Sequence, residues 1–166
     1  MKKLIVILMV LGLIFGMVGT AMAQTDSHQV TVTVSAINEI DVSDAAIALT
    51  ITSATAGSEP ASDTDTSGTL VWTTNEASKK ITVESDLGTV TIKFTLNVLA
   101  TSVSGGTAVT GGVTFDSSYT ADTASDFITG VSETVGDCTL QYTASATAAQ
   151  GIGTDTHTIT YTITNG

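Results

Sequence analysis

The chain has 166 residues, of which 42% are hydrophobic and 13% are charged, with a formal net charge of −11. Its five basic residues are all lysines, which argues against nucleic acid or anionic lipid as a partner, because both depend on clustered Lys and Arg. A chain of this size is expected to form one domain with a proper hydrophobic core. The acidic balance favours a solvated surface, with divalent-cation binding as the alternative.

The first stretch, residues 1–23, has the three parts of a Sec signal peptide. Two lysines precede an apolar run over residues 4–18, and a small-x-small pattern ends at Ala23, where cleavage is expected. An uncleaved anchor is the alternative, but the run is short for a span of about 20 residues. We therefore expect residues 24–166 to form a single secreted domain, extracellular or on the cell surface, with the periplasm as the alternative. That part carries three lysines against 16 carboxylates, a net charge of −13.

After the signal peptide, apolar residues alternate with threonine, which is typical of strands. Residues 30–36 (VTVTVSA) predict a strand, and its place near the mature N-terminus would suit donation to a neighbouring subunit. Residues 38–44 predict a bend with a short edge strand. Residues 46–51 predict another strand, with a short helix as the alternative. Residues 53–68 hold the only proline and predict the longest loop.

The middle of the chain predicts further strands. Thr69–Thr74 and residues 80–85 are expected to pair as a hairpin, with the tryptophan in the core. Residues 90–98 predict the next strand. Residues 101–112, rich in Gly, Ser and Thr, predict a loop or a weak edge strand, and Val113–Phe115 predicts a short strand.

The clearest alternation lies near the C-terminus, in residues 138–146 and 156–163. Each run sets an apolar face against a threonine face, and the glycines of residues 149–153 predict that the two runs form a hairpin. Because an isolated two-stranded hairpin is only marginally stable, its apolar face is expected to pack against further strands. About eight or nine short strands without intervening helices predict an all-β, two-sheet antiparallel β-sandwich with Ig-like or jelly-roll connections.

Cys138 is the only cysteine, so no internal disulfide is expected. An odd thiol in a secreted protein can indicate pairing between chains. Because Cys138 shares a strand face with Leu140 and Tyr142, we expect it to be a small buried hydrophobe.

The best metal candidate is the acidic loop. Asp63 and Asp65, with a glycine at position six and Glu59 just before, match the start of a calcium loop, in which alternate oxygens converge. The bidentate Glu expected at position twelve is replaced by Thr74, so the motif is incomplete, and its residues are also ordinary loop residues. Calcium is the one cofactor that the sequence suggests. A second acidic group fits no ligand spacing: Asp116, Asp122 and Asp126.

Catalytic groups are few. Only His28 and His157 are near-neutral bases, and His157 lies on an apolar strand face, where a structural histidine is expected. The sequence holds no HExxH, GxSxG or phosphate-binding glycine motif. We therefore expect no enzymatic activity.

Sugar binding needs only a small aromatic platform and polar loops, and Trp72 and Tyr119 are the candidates. Trp72 alternates in phase with Leu70, which favours the core over a platform. Tyr119 lies in a predicted loop.

Several short segments of the sequence resemble those of small exported threonine-rich β proteins of bacteria. They are residues 37–40 (INEI), 55–60 (TAGSEP), 73–75 with 79–82 (TTN and KKIT), 142–147 (YTASAT) and the closing threonine-alternating strand. The resemblance spans most of the mature chain and implies a secreted β-sandwich and no activity. At the level of fold alone, the chain is similar to fimbrial subunits that polymerise by strand donation, although it lacks the disulfide of usher-assembled pilins.

The sequence thus favours a secreted, non-catalytic structural protein that self-associates in a cell-surface or extracellular filament or matrix. Val30, Val32 and Val34 would form its self-association strand. The alternative is a monomeric adhesion or carbohydrate-binding module, assisted by calcium. The expected partners are other copies of the chain, or glycans under the alternative, with no nucleic acid and no membrane after signal cleavage.

Overall fold

The computed structural model of the chain describes residues 24–43 and 46–166. The predicted signal peptide, residues 1–23, lies outside the described residues. The chain divides into two units at Val34. In the first, residues 24–34 are exposed and have no regular secondary structure. The second, Ser35–Gly166, contains both sheets.

The described part of the second unit is built from ten strands and one turn of 3₁₀-helix, Ala148–Gln150. The strands are β1 (Asn38–Val42), β2 (Asp63–Asp65), β3 (Thr69–Thr74), β4 (Lys79–Ser85), β5 (Thr95–Ser104), β6 (Thr107–Ala108), β7 (Val113–Phe115), β8 (Ser125–Val131), β9 (Thr134–Ser145) and β10 (Ile159–Asn165).

These strands form two antiparallel sheets, which confirms the predicted all-β fold. The six-stranded sheet has the order β1-β3-β9-β5-β7, and β2 also pairs with β9. The four-stranded sheet has the order β10-β4-β8-β6. Within residues 24–43 and 46–166, no helix has the length and apolar character that a membrane span needs.

Alternating burial along the strands shows where the core lies. In β3, Leu70 and Trp72 are buried while Val71 and Thr73 are exposed, as a period of two requires. The buried apolar side chains of both sheets belong to one cluster, so the inner faces pack on each other. Its members are Leu70, Trp72, Ile81, Val83, Ile92, Val98, Ala100, Val113, Phe115, Phe127, Ile128, Val131, Cys138, Leu140 and Tyr142.

The predicted C-terminal hairpin is wrong. β9 lies at the centre of the six-stranded sheet, whereas β10 pairs with β4 at the edge of the other sheet. The connection over residues 146–158 is long enough to carry the chain across the sandwich. The two apolar faces therefore meet through the core instead of lying side by side.

The hairpin predicted from β3 and β4 is wrong for the same reason. β3 pairs with β1 and β9, and β4 pairs with β8 and β10. The short turn between them, in which Ser78 adopts a left-handed φ of 56°, leads from one sheet to the other. Both strand positions are as predicted to within one residue, and both inward faces are correct.

Two predicted strands are absent from the described structure. Residues 30–36 pair with no strand, and Val30, Val32 and Val34 are 70%, 82% and 71% exposed. Residues 46–51 form no ladder, although Ile47 and Leu49 still pack against the core. The amide of Thr50 donates instead to the carboxylate of Asp63 at 2.6 Å.

The strand predicted over residues 90–98 begins late, at Thr95. The carboxylate of Asp155 accepts hydrogen bonds from the amides of Lys93 and Phe94, at 2.7 Å each. These amides are therefore occupied by a side chain rather than by a neighbouring strand.

Candidate functional site

The acidic loop does not gather its carboxylates into a metal-binding cluster. Asp63 accepts hydrogen bonds from the amides of Thr50 and Thr64, and Asp65 accepts from the amide and hydroxyl of Ser67 at 2.9 and 2.7 Å. The Ser67 hydrogen bonds lower the pKa of Asp65. Among the described residues, no three His, Cys, Asp or Glu side chains are placed to share a metal ion.

Glu59 has a different hydrogen-bond partner from those of Asp63 and Asp65. Its carboxylate accepts a hydrogen bond from the amide of Ala148, so it joins the long loop to the 3₁₀ turn. Calcium binding by Glu59, Asp63 and Asp65 stays a prediction. It would require these carboxylates to exchange their present amide partners for the ion.

The other acidic residues also have structural contacts. Asp116 accepts hydrogen bonds from the hydroxyl and amide of Ser118, and these lower its pKa. Asp126 forms an ion pair with Lys80 at 2.9 Å. This pair lines a shallow polar groove on the outer face of the four-stranded sheet, beside Glu84 and Thr162.

Trp72 is in the core and is not a sugar platform, since only 2% of it is exposed. It opposes Gly136 in the pairing of β3 with β9. A Cβ at Gly136 would lie 2.3 Å from Cε2 of the indole, so glycine is what allows the ring to lie on that strand. Within the described residues, Trp72 Nε1 is the one buried side-chain polar atom without a hydrogen-bond partner.

Tyr119 is half-buried, and its hydroxyl acts both as a hydrogen-bond acceptor and as a donor within the protein. The hydroxyl accepts from the amide of Ser85 at 3.1 Å and donates to the carbonyl of Thr123 at 2.7 Å. Its ring packs edge-on against Phe115, with centroids 4.7 Å apart. The geometry gives Tyr119 a role in holding its loop, and its role as a ligand contact stays a prediction.

The structure brings together a serine and a histidine that the sequence analysis did not connect. Ser85 Oγ lies 2.9 Å from His157 Nδ1, although the two residues are 72 positions apart. Ser85 Oγ also accepts a hydrogen bond from the amide of Leu87. No local motif marks this pair, because it depends on the pairing of β10 with β4.

The surroundings of Ser85 and His157 favour a structural role for the pair. Ser85 is fully buried, so its hydroxyl offers no surface for a substrate. Burial lowers the pKa of His157, against the opposing charges of Asp155 and Asp86. Both carboxylates already accept backbone hydrogen bonds, Asp155 from residues 93 and 94 and Asp86 from Thr158. The arrangement fastens the start of β10.

Cys138 is a free thiol and is 1% exposed, as the sequence predicted for a core residue. Burial raises its pKa to about 11. A thiol with so high a pKa is almost entirely protonated at neutral pH and is a poor nucleophile.

Three exposed apolar residues, Val30, Val32 and Val34, lie in the N-terminal strap, which we define as residues 24–37. At the C-terminal end of the strap, the side chain of Asn75 fixes the entry into β1. Its Oδ1 accepts from the amide of Ile37 and its Nδ2 donates to the carbonyl of Ser35, at 2.7 Å each. These two hydrogen bonds tie residues 35 and 37 to the turn between β3 and β4.

Comparison with known proteins does not assign the chain to a family. No model of a known protein family matches it, and no curated protein matches it either.

Proposed function

We propose that the chain is a secreted, non-catalytic structural protein that self-associates into a cell-surface or extracellular filament or matrix. The observation that carries the proposal is the exposure of Val30, Val32 and Val34, between 70% and 82%. Apolar side chains that alternate with threonine are suited to a pleated sheet and are costly to leave in water. If the segment joined a sheet as a strand, its alternating valines would lie on one face and form an apolar contact surface.

The net negative charge of the chain opposes association between copies at low salt. The mature chain has a net charge of −13, so copies repel each other at low salt. Salt screens exposed charges over about 8 Å at physiological ionic strength. Association through an uncharged segment such as residues 30–36 should therefore strengthen as salt or a divalent cation is added.

The test is electron microscopy and light scattering of residues 24–166, with and without calcium and over a range of salt. We expect ordered assemblies that grow with protein concentration. The triple variant Val30→Thr, Val32→Thr and Val34→Thr keeps the strand-forming shape but removes the apolar face, and should lower the assembled fraction severalfold. Thr31→Ser with Thr33→Ser is the matched control on the other face. A monomer under every condition would refute the proposal.

The alternative, a monomeric adhesion or carbohydrate-binding module, has less support. Trp72 is buried and the hydroxyl of Tyr119 is occupied, so neither aromatic candidate offers an open ring and a free polar group. Binding of the monomer to a glycan array, lost on Tyr119→Ala but kept on Val90→Ala at an exposed loop position, would revive this alternative.

A further inference from the structure

The two sheets leave five edge strands among the described residues, and four of them are short or charged. One of the four is β2, which has three residues, two of them aspartates. β6 has two residues and β7 has three. β1 has five, but Glu39 and Asp41 stand on it. Short strands and charges are the devices by which proteins protect sheet edges from pairing with another chain.

The fifth edge strand, β10, is not protected in this way. It has seven residues, ITYTITN, and residues 156–166 contain no Asp, Glu or Lys. Within the described part of the chain, β4 is its one paired neighbour. β10 is therefore the longest edge strand and carries no charge of its own. Its nearest element in the other sheet is β1, which carries Glu39 and Asp41, so an added strand would have to pass beside that strand.

The register of β10 shows which backbone groups are available. The carbonyl of Thr158 accepts from Asp86, and the amide of Gly166 donates to Ser78, so even-numbered residues bond toward β4. In an antiparallel pair, the alternate residues direct their N–H and C=O groups away from the partner. The groups of Ile159, Tyr161 and Ile163 therefore point to the open edge.

The side chains of the same three residues are incompletely covered. Ile81 and Val83, which oppose Ile163 and Tyr161 on β4, are fully buried, but Ile159, Tyr161 and Ile163 are only half-buried. A further strand beside β10, with apolar residues on its inward face, would cover them.

The strap contains such a strand. Residues 30–36, VTVTVSA, match β10 in length, carry no charge and present valine at every second position. In a chain with 16 carboxylates, both segments are uncharged, so they can approach without direct like-charge repulsion. The strap of the same copy forms no strand, which leaves the second copy as the occupant for which we argue.

We propose that residues 30–36 of one copy add as a strand to the open edge of β10 in a second copy. This inference rests on the proposed self-association and names its acceptor. Each copy gives a strand at one place and receives one at another, so the contact is heterologous and can continue into an open filament. Main-chain hydrogen bonds would supply the pairing, and the valines would cover the half-buried side chains of β10.

The test mixes two single-cysteine proteins in a Cys138→Ala background. One carries Thr33→Cys in the strap, and the other carries Thr160→Cys, Thr162→Cys or Thr164→Cys, which allows for a register shift of two residues. Because each protein has one thiol, a mixed disulfide can form only between copies. We expect mild oxidation to give severalfold more mixed dimer with β10 than with Thr114→Cys on β7 or Glu39→Cys on β1.

Light scattering of the same samples separates the outcomes. If the proteins assemble but cross-link to β7 or β1, or to no edge, the acceptor is wrong and self-association stands. If they stay monomeric, both proposals fail. A double Thr33→Cys, Thr162→Cys chain that closes an internal disulfide when dilute would show that the strap seats on its own β10, which also overturns the inference.

A second variant pair tests the strap without touching the sandwich. Val32→Pro and Thr33→Pro each place a proline in the donated strand, where a missing N–H and a fixed φ disfavour pairing. Both should lower the assembled fraction severalfold, while Ser27→Pro, outside residues 30–36, should not. Equal assembly by all three would contradict strand addition by this segment.

Discussion

The hydroxyl of Tyr142 lies 2.8 Å from the hydroxyl of Tyr161, and this hydrogen bond joins the two sheets. Tyr142 is on β9, at the centre of the six-stranded sheet, and Tyr161 is on β10, at the edge of the four-stranded sheet. The Tyr161 ring also packs against Phe127, with centroids 5.4 Å apart. Edge strand β10 is thus held across the sandwich as well as by its pairing with β4.

Removing one of these hydroxyls should destabilise the fold. Tyr161→Phe leaves the Tyr142 hydroxyl without its partner, and we expect a loss of about 1 kcal/mol in the free energy of unfolding. Because the double variant Tyr142→Phe, Tyr161→Phe orphans neither group, it should cost no more than the single change. Urea unfolding of Tyr142→Phe, Tyr161→Phe and the double variant measures this, and additive losses would contradict the inter-sheet bond.

Alkaline pH should destabilise the protein through Cys138, Tyr142 and Tyr161. Burial raises the pKa of Cys138 to about 11, and burial also raises the pKa values of Tyr142 and Tyr161. A raised pKa in the folded state means that the stability is complete below the pKa of the unfolded chain and is lost as pH rises above it. Free Cys titrates near 8.5 and free Tyr near 10.

The free energy of unfolding should therefore begin to fall as the pH passes about 9. Cys138→Ala should remove the earliest part of the fall, up to about pH 11, while leaving the tyrosine part above it. Urea titrations at several pH values provide the slopes. An identical slope near pH 9 to 10 in the two proteins would contradict the assignment to Cys138.

Mild acid should destabilise the protein through His157. Burial lowers the pKa of His157, so its contribution is complete above the unfolded value near 6.5 and is lost as the pH falls below it. Stability should decrease between about pH 7 and pH 5, a window above the usual carboxylate range. His157→Asn should flatten this decrease, and His28→Asn in the exposed strap should leave it unchanged. The same decrease in both variants would exclude His157 as the cause.

Gly136→Ala should be destabilising because the added Cβ would lie 2.3 Å from the Trp72 ring and 2.5 Å from the carbonyl oxygen of Ser104. Overpacking of this kind costs about 1–3 kcal/mol. Gly68→Ala is the matched control, since its Cβ would meet nothing nearer than 3.5 Å. The fluorescence of Trp72, the single tryptophan, reports both unfolding and a shifted ring. Equal stability of the two variants would contradict the close packing of Trp72 on Gly136.

Alternation in the sequence predicted the inward faces of strands such as β3 and β10, but the equally regular alternation of residues 30–36 forms no strand in the described structure. It could not predict which strands pair, because a period of two defines a face and not an edge. The strands that carry Leu70 and Ile81 were predicted to pair as a hairpin, as were those that carry Tyr142 and Tyr161. In the structure, the two strands of each predicted hairpin belong to different sheets. Two apolar strand faces can be buried either by packing against each other across a core or by lying side by side in one sheet, and the alternation pattern is the same in both cases.

The candidate site was predicted only in part. The valines of the strap stand out because they alternate, but their lack of a partner strand depends on the whole topology. The contacts of Asn75 with Ser35 and Ile37, and of Ser85 with His157, join residues far apart in the chain and leave no local pattern. The open edge of β10 could be found only once β4 was known to be its neighbour.

The most direct test of self-association by strand addition is amide hydrogen exchange of residues 24–166, measured in dilute and in assembled samples. The account predicts that assembly slows exchange within residues 30–36 and at the amides of Ile159, Tyr161 and Ile163, with no comparable change in β1 or β7. The triple valine-to-threonine variant at the same concentration should lose this protection. Assembled protein in which residues 30–36 exchange as fast as in the dilute sample would contradict the account.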